Sequence, residues 1–412
     1  MMTLALIRFM AYGWVTEFYV EPRYFFSYYG FEWVRPLPAP YIYLFYGAMV
    51  AAALLIALGF LYRPAILVFF VLFTYAELWD KTFYLNHYYL ISLLSFLMLF
   101  LPMNAVGSVD SRFRKKKLVL PRINWANLLK IQLGTVYFFG GIAKIGYDWL
   151  FLGQPLKIWF AANADIPVIG PLLNLPLVPY CVAWGAMIFD LTAPFLLFFR
   201  KTRPWIYPVV ILFHVLTGIL FPIGMFPWFM CAYSLLFFEP EWHRKWVETL
   251  FGRKEIPPIK SSARIIDPAR GGLFTLFFLF QLLMPFRAWL YPGNPLWHEQ
   301  GFRFSWRIML MEKNGYVDYE VKVKETGQTF TVHPSAFLTK KQVQQMSFQP
   351  DMILQFAHFL RDHYRSEGLG DTEIHAHAYV SLNGRGSRRL IDPEVDLAAE
   401  KEGWHPKTWI LE

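Results

Sequence analysis

Apolar runs of roughly the ~20 residues that a bilayer requires recur along the first ~290 positions of the chain. They predict membrane spans at about 4–20, 41–62, 64–79, 88–103, 127–144, 178–199, 204–220, 225–238 and 271–289. The pattern changes after Arg287. From about Tyr291 the chain is polar, and YVDYEVKVKE and QTFTVHP alternate like the two arms of a hairpin around Thr326 and Gly327. A helix is predicted over about Lys340 to Tyr364, with Met346, Met352, Ile353, Phe356 and Leu360 as its apolar stripe, and EIHAHAYVSLNG reads as another strand. The predicted fold is an all-α polytopic membrane helix bundle of about nine spans, residues 1–290, followed by a small extracytoplasmic α+β domain, residues 291–412. An odd number of crossings puts that domain outside.

Composition agrees with this class. Of the 412 residues 56% are hydrophobic and 19% aromatic, which excludes an ordinary soluble domain. The net charge of +9 would suit nucleic acid, but its location argues otherwise. SRFRKKK (Ser111–Lys117), RKTR (Arg200–Arg203) and the segment from Arg244 to Arg270 fall in loops on one face if the N-terminus is cytoplasmic. The opposite loops, Glu17–Pro40 and Gly146–Pro176, are nearly neutral or slightly acidic. That is the positive-inside pattern, and it makes the basic charge a membrane signal. The first segment shows no small-residue cleavage site of a signal peptide. Cys181 and Cys231 lie in apolar spans and read as small buried hydrophobes, and no metal-binding spacing such as HExxH or CxxC occurs. These features suit a protein of a bacterial inner membrane.

Ionisable groups at membrane depth mark sites by default. The candidates are Arg8, Lys144, Asp190 and His214, with Asn86 and His87 opening a span. Each has a plainer reading. Arg8 snorkels from the cytoplasmic end of the first span, Asp190 caps a helix break or pairs with a cation, and His214 bonds a neighbouring carbonyl. Lys144 is either a membrane-edge anchor or a base. In the predicted topology Lys144, His87, His214 and Thr217 share the outer leaflet with the linker to the outer domain, as the walls of a pocket would. Gly140 and Gly141, one turn before Lys144, admit a neighbouring helix or a flat ligand. Desolvation there would favour a neutral amine, a competent base.

Six motifs then occur in a familiar order: DKTFYLNHYYL (Asp80–Leu90), VYFFGGIAKIGYDWL (Val136–Leu150), DLTAPFLLFF, FHVLTGILFPIGMF, FEPEW (Phe238–Trp242) and GFRFSW (Gly301–Trp306). With them the chain resembles vitamin K-dependent gamma-glutamyl carboxylase and its bacterial relatives that carry a horizontally transferred transmembrane domain. The likeness runs from about Leu4 to Trp409. It implies a base at Lys144 with His87 beside it, which deprotonates reduced vitamin K or menaquinol. Dioxygen then converts the quinol to the epoxide, and the strong base formed on the way removes a γ proton from a peptide glutamate that carbon dioxide captures. Asn86, His214, Thr217 and Phe302 fall at the cofactor, and Trp297, Trp306 and Lys313 at the glutamate substrate.

The chain departs from the family pattern where Ala143 replaces the first of two lysines, where Met311 and Lys313 replace a histidine and an arginine, and where Thr217 replaces an asparagine. A lysine lacks the fork with which arginine grips a carboxylate. The expected activity is therefore quinol epoxidation, with glutamate carboxylation as its further step. The implied partners are the lipid bilayer, the quinol, a glutamate-containing peptide and a quinone reductase. No metal is implied. His375 and His377, on one face of a strand, are a weak candidate for one. The alternative reading is a non-catalytic quinone- or lipid-binding membrane module.

Overall fold

The computed structural model describes residues 1–105, 107–114, 120–121, 126–251, 261–262 and 268–412. Every apolar segment holds helix: Met2–Ala11 followed by Trp14–Tyr19, then Tyr41–Leu58, Tyr62–Glu77, Asn86–Phe100, Ala126–Ala143, Val178–Phe198, Arg203–Leu220, Phe226–Ser234 and Pro268–Leu283. By length and composition, four are able to cross a membrane among the described residues: Tyr41–Leu58, Val178–Phe198, Arg203–Leu220 and the stretch Pro268–Leu290. The other expected spans are shorter or more polar. The segment 4–20 is two short helices, broken at Gly13, which sits at φ +74 in the left-handed region. Ala126–Ala143 has the length but carries Asn127, Lys130 and Gln132 in its first two turns. The basic runs 111–117 and 244–270 lie partly outside the described residues.

The long helices keep large apolar side chains on their outer faces. Leu44, Leu67, Val71, Phe195, Leu212 and Leu276 are each more than half exposed, a surface that belongs against lipid. Cys181 corrects the expectation that both cysteines are buried: it is exposed, and Cys231 is half-buried. Hydropathy cannot tell a lipid-facing position from a core one, because both are apolar.

Inside, aromatic residues dominate. Tyr19, Phe45, Tyr46 and Tyr75 pack around the fully buried Trp79, and a second core gathers Leu133, Tyr137, Phe189 and Tyr233. A third, smaller one lies where Trp149 and Phe160 of short surface helices cover Ala183 and Met187 of Val178–Phe198. The lysine-bearing helix Ala126–Ala143 packs closely on Val178–Phe198. A Cβ at Gly141 would stand 2.8 Å from Leu191 Cγ and 2.9 Å from its backbone nitrogen, so only glycine allows this approach.

The C-terminal domain, called outer for the side on which its sequence predicts it, is α+β as expected. Its antiparallel sheet runs Thr329–Val332, Lys313–Val323, Thr372–Leu382, Arg388–Arg389 in spatial order. Tyr319 pairs with Val332 on one side and Ala376 on the other. The hairpin turns at Gly327, φ +70. The helix expected over 340–364 is two helices, Lys340–Met346 and Pro350–Ser366. Pro350 lacks an N–H and disfavours helix in the residue before it, so it opens the second helix. Ile353, Phe356, Ala357 and Leu360 from that helix cover Val321, Ile374, Ala376 and Ala378 of the sheet.

Membrane and outer parts interlock. Phe26, from the loop after the first helices, is fully buried in the outer-domain core. Gln342 donates to Tyr24 O at 2.7 Å and to Asp80 Oδ2 at 3.0 Å. Asp351 receives Lys81 at 2.9 Å and Arg303 at 2.7 Å.

If Gly141 sets the approach of its helix to Val178–Phe198, then Gly141→Val destabilises the protein by about 1–3 kcal/mol through overpacking. Gly146→Ala, at an extended position with open space around it, is the neutral control. Thermal unfolding in detergent separates the two outcomes.

Candidate active site

Lys144 follows the last residue of Ala126–Ala143, where the helix presents carbonyls without intrahelical partners and its negative end favours a cation. Its side chain folds back along its own helix. Nζ donates to Gly140 O at 3.2 Å and to Asp190 Oδ2 at 2.7 Å, and it lies 5.5 Å from the centroid of the Trp149 ring. Both charged side chains are less than a tenth exposed. Gly140 faces the pair: a Cβ there would stand 3.5 Å from Asp190 Oδ2, in ordinary van der Waals contact. Lys144 is thus neither a snorkelling anchor nor a partner of His87. A buried ammonium needs a carboxylate more than it needs an imidazole, and Asp190 is the one in reach.

Seven residues earlier on the same helix, Tyr137 Oη lies 2.6 Å from His214 Nε2, and His214 Nδ1 is buried without a partner. Phe226 stands between the two histidines. Its ring centroid is 5.1 Å from that of His87, with the rings nearly parallel, and 6.4 Å from that of His214. His87 and Phe226 both line a cavity of about 480 Å³. Thr217 is beside this group in sequence, but its hydroxyl is bonded to Phe213 O of its own helix at 2.7 Å.

The loop after Pro295–His298 enters the bundle from the side of the C-terminal domain. In it Glu299, Phe304, Trp306 and Met309 hold φ between +52 and +62, and Gly301 holds +73. Non-glycine residues rarely adopt this conformation, and its cost is tolerated where surroundings over-determine the chain, often at functional sites. Trp306 is buried against Tyr89, ring centroids 5.0 Å apart, and its indole Nε1 has no partner. Its carbonyl oxygen would lie 3.9 Å from a Cβ on Gly140, which puts the loop against the Lys144–Asp190 pair. Asn86 holds the loop by donating to Arg307 O at 3.2 Å while its own Oδ1 accepts from Tyr84. Tyr84 Oη in turn accepts from Phe304 N at 2.7 Å.

Phe302 lines a separate cavity of about 640 Å³ between the bundle and the outer domain, with Glu77, Arg287, His298 and Arg303 among its walls. Burial, with Lys313 and Arg307 nearby, lowers the His298 imidazole to about 4, so this ring is neutral at physiological pH. Lys144 is in the lining of neither this cavity nor the one at His87.

Trp297 and Lys313 stand apart from the lysine pair. Trp297 is in the outer-domain core and donates to Leu411 O at 2.6 Å. Lys313, which the resemblance assigns to the substrate carboxylate, is bonded instead to Trp297 O at 2.5 Å and to Glu299 at 2.8 Å. Burial pushes Glu299 up and Lys313 down, each toward its neutral form, and their contact opposes both shifts. His375 is likewise engaged, with Nδ1 3.0 Å from Pro393 O, and among the described residues no cluster of three metal-ligating side chains occurs.

The structure therefore brings together Lys144, Asp190 and the Trp306 backbone, while Tyr137, His214, Phe226 and His87 form a separate chain of contacts that starts two turns away on the lysine's helix. Sequence reading did not find Tyr137 or Phe226 and left the partner of Asp190 unnamed. The spacing of Tyr137, Gly140 and Lys144 on one helix face was the available signal.

Two family models match the chain, and the second takes in the last apolar helix, Pro268–Leu283, as well as the C-terminal domain. Residues 1–242 match the model of the HTTM domain, and residues 267–412 match that of the vitamin K-dependent gamma-carboxylase lumenal domain. No solved structure matches the chain. A membrane bundle with a buried lysine, joined to an outer domain whose loop reaches that lysine, and matched over both parts, belongs to the vitamin K-dependent gamma-glutamyl carboxylase family.

Proposed function

We propose that this protein is an integral membrane quinol oxygenase of the carboxylase type, which converts reduced vitamin K or menaquinol to its epoxide with dioxygen. In a bacterial inner membrane with a cytoplasmic N-terminus, nine crossings would hold the domain from 291 to 412 outside. The observation that supports the reading most directly is the shielded Lys144–Asp190 pair beside the loop of Trp306.

Base action needs the amine of Lys144 free of its proton, and Asp190 is the group placed to hold it. When Lys144 accepts a proton, the Gly140 carbonyl and the end of the helix stabilise the new ammonium. The orphaned His214 Nδ1, on a ring 6.4 Å from that of Phe226, suits a hydroxyl of a planar ring. The bound quinol supplies the oxygen-reactive ring, and these residues orient it and exclude water. Asn86 acts by holding the loop, and Thr217 contributes shape rather than a free hydroxyl.

Carboxylation of a glutamate-containing peptide by carbon dioxide is the further step that the family membership suggests. Glu299 already neutralises Lys313, which favours epoxidation as the primary activity. The same closed pair, together with the neutralised Lys144, supports a second reading, a quinone- or lipid-binding module that consumes nothing.

With purified protein, vitamin K hydroquinone and air, wild type forms epoxide that chromatography detects, and Lys144→Ala lowers its rate about 10²–10⁴-fold. Asp190→Asn lowers it about 10²-fold by misplacing the amine. Equal epoxide from wild type and Lys144→Ala would sink the reading, while quinone that binds without turnover supports the module. Labelled carbon dioxide in a glutamyl peptide reports the second step. Because Glu299 and Lys313 are a buried structural pair, Glu299→Gln costs about 3–5 kcal/mol of stability. Epoxide formed per folded molecule stays unchanged, and a Glu299→Gln variant as stable as wild type in thermal unfolding contradicts the structural role.

A further inference from the structure

Arg8, expected at the cytoplasmic end of the first span, instead shares a cavity with Lys341 of the C-terminal domain. Its guanidinium is folded against the turn between Arg203–Leu220 and Phe226–Ser234, where Nη2 lies 2.9 Å from the point a Cβ on Gly224 would occupy. It packs against Trp14, 5.8 Å from the ring centroid, and its Nε is buried with no hydrogen-bond partner. Among the described residues it has no acidic partner either. A half-buried guanidinium in an apolar helix, with neither counter-ion nor hydrogen bond, is a group that a ligand would complete.

Arg8 is part of the wall of the 480 Å³ cavity. That cavity lies between the first helices, the segment from Thr82 to Ile91 and the turn from Pro222 to Phe229, with Lys341 and Gln345 of the outer domain at one side. Phe9, Phe18, Ile91 and Ile223 supply apolar surface. Two side chains of the lining are cationic, Arg8 and the exposed Lys341, and none is acidic. The charge calls for an anion, and the walls call for an apolar body attached to it. Leu4 and Ile7 on the same first helix face outward as lipid-facing residues do, so the bilayer can supply such a molecule.

We propose that this cavity is a binding site for a phosphate-headed lipid. The phosphate sits on the fork of Arg8, and Lys341 draws it in at the outer side, while the chains lie along the aromatic wall. Two cations without an acid match a phosphomonoester, which carries close to two negative charges, better than a carboxylate, which carries one. His87 and Phe226 belong to the same lining, so the occupant borders the His87–Phe226 stack. The site is independent of whether Lys144 is a base.

The test uses the full-length protein in an uncharged maltoside detergent, with dioleoyl phosphatidic acid as the probe, followed by native mass spectrometry and thermal unfolding. Wild type binds the lipid and unfolds at higher temperature in its presence. Arg8→Gln weakens binding by about tenfold or more, Lys341→Gln weakens it severalfold, and Arg8→Lys retains part of it. The proposal is overturned if dioleoylglycerol stabilises as much, which would make the headgroup irrelevant, or if inorganic phosphate does, which would make the chains irrelevant. Tighter binding of palmitate than of phosphatidic acid overturns the phosphate assignment, and wild-type binding by Arg8→Gln overturns the site. Should Arg8→Gln not fold, unchanged affinity in Lys341→Gln is the overturning result.

Discussion

Asp190 lies in the middle of a long apolar helix, shielded from water, and a carboxylate in that place must find a cation or a proton. Lys144 answers it from the end of the neighbouring helix, and the meeting depends on Gly141, three residues before the lysine. Gly141 lets the helix backbones close on each other, and Gly140 faces the Asp190 carboxylate at contact distance. The pair thereby fixes the relative position of two helices as well as the chemistry at their junction. Removing one partner would leave the other charged and buried, the most unfavourable arrangement available to it.

A second constraint is the mutual insertion of the two parts of the chain. Trp306, from the loop that leads into the outer sheet, is buried in the core of the bundle, while Phe26, from the membrane part, is buried in the core of the outer domain. Each part supplies a residue that completes the other. The left-handed residues between Glu299 and Met309 are what such threading requires: the chain reverses direction several times in little space, held by Asn86 and Tyr84. A site that forms at this junction is sensitive to both parts at once. The same interlocking closes other charges off, so that Lys313 meets Glu299, and Lys81 and Arg303 share Asp351.

Much of the architecture was legible from pattern. The alternation around Gly327 gave the hairpin, the stripe from Ile353 to Leu360 gave the outer helix, and the apolar segments gave helices in their expected places. The errors have local causes. Gly13 and Pro350 split elements that hydropathy reads through, and Cys181 faces outward because membrane helices are apolar on every side. The burial of Lys144 was one of two readings, since the glycines before it admit a close neighbour while its place at a span's end also suits an anchor. Its partner was not legible. Asp190 is 46 positions away, and the nearer-seeming His87 stacks on Phe226 instead.

The sequence by itself determined which segments become helix or strand and which must leave water, because periodicity and hydropathy act over a few turns or a few residues. Only the tertiary structure decided which buried charge meets which, since an ion pair forms over a few ångströms of space and takes no account of distance along the chain. That is why the apolar helices and the outer hairpin could be predicted, whereas the bond from Lys144 to Asp190, the capture of Lys313 by Glu299 and the isolation of Arg8 had to be seen.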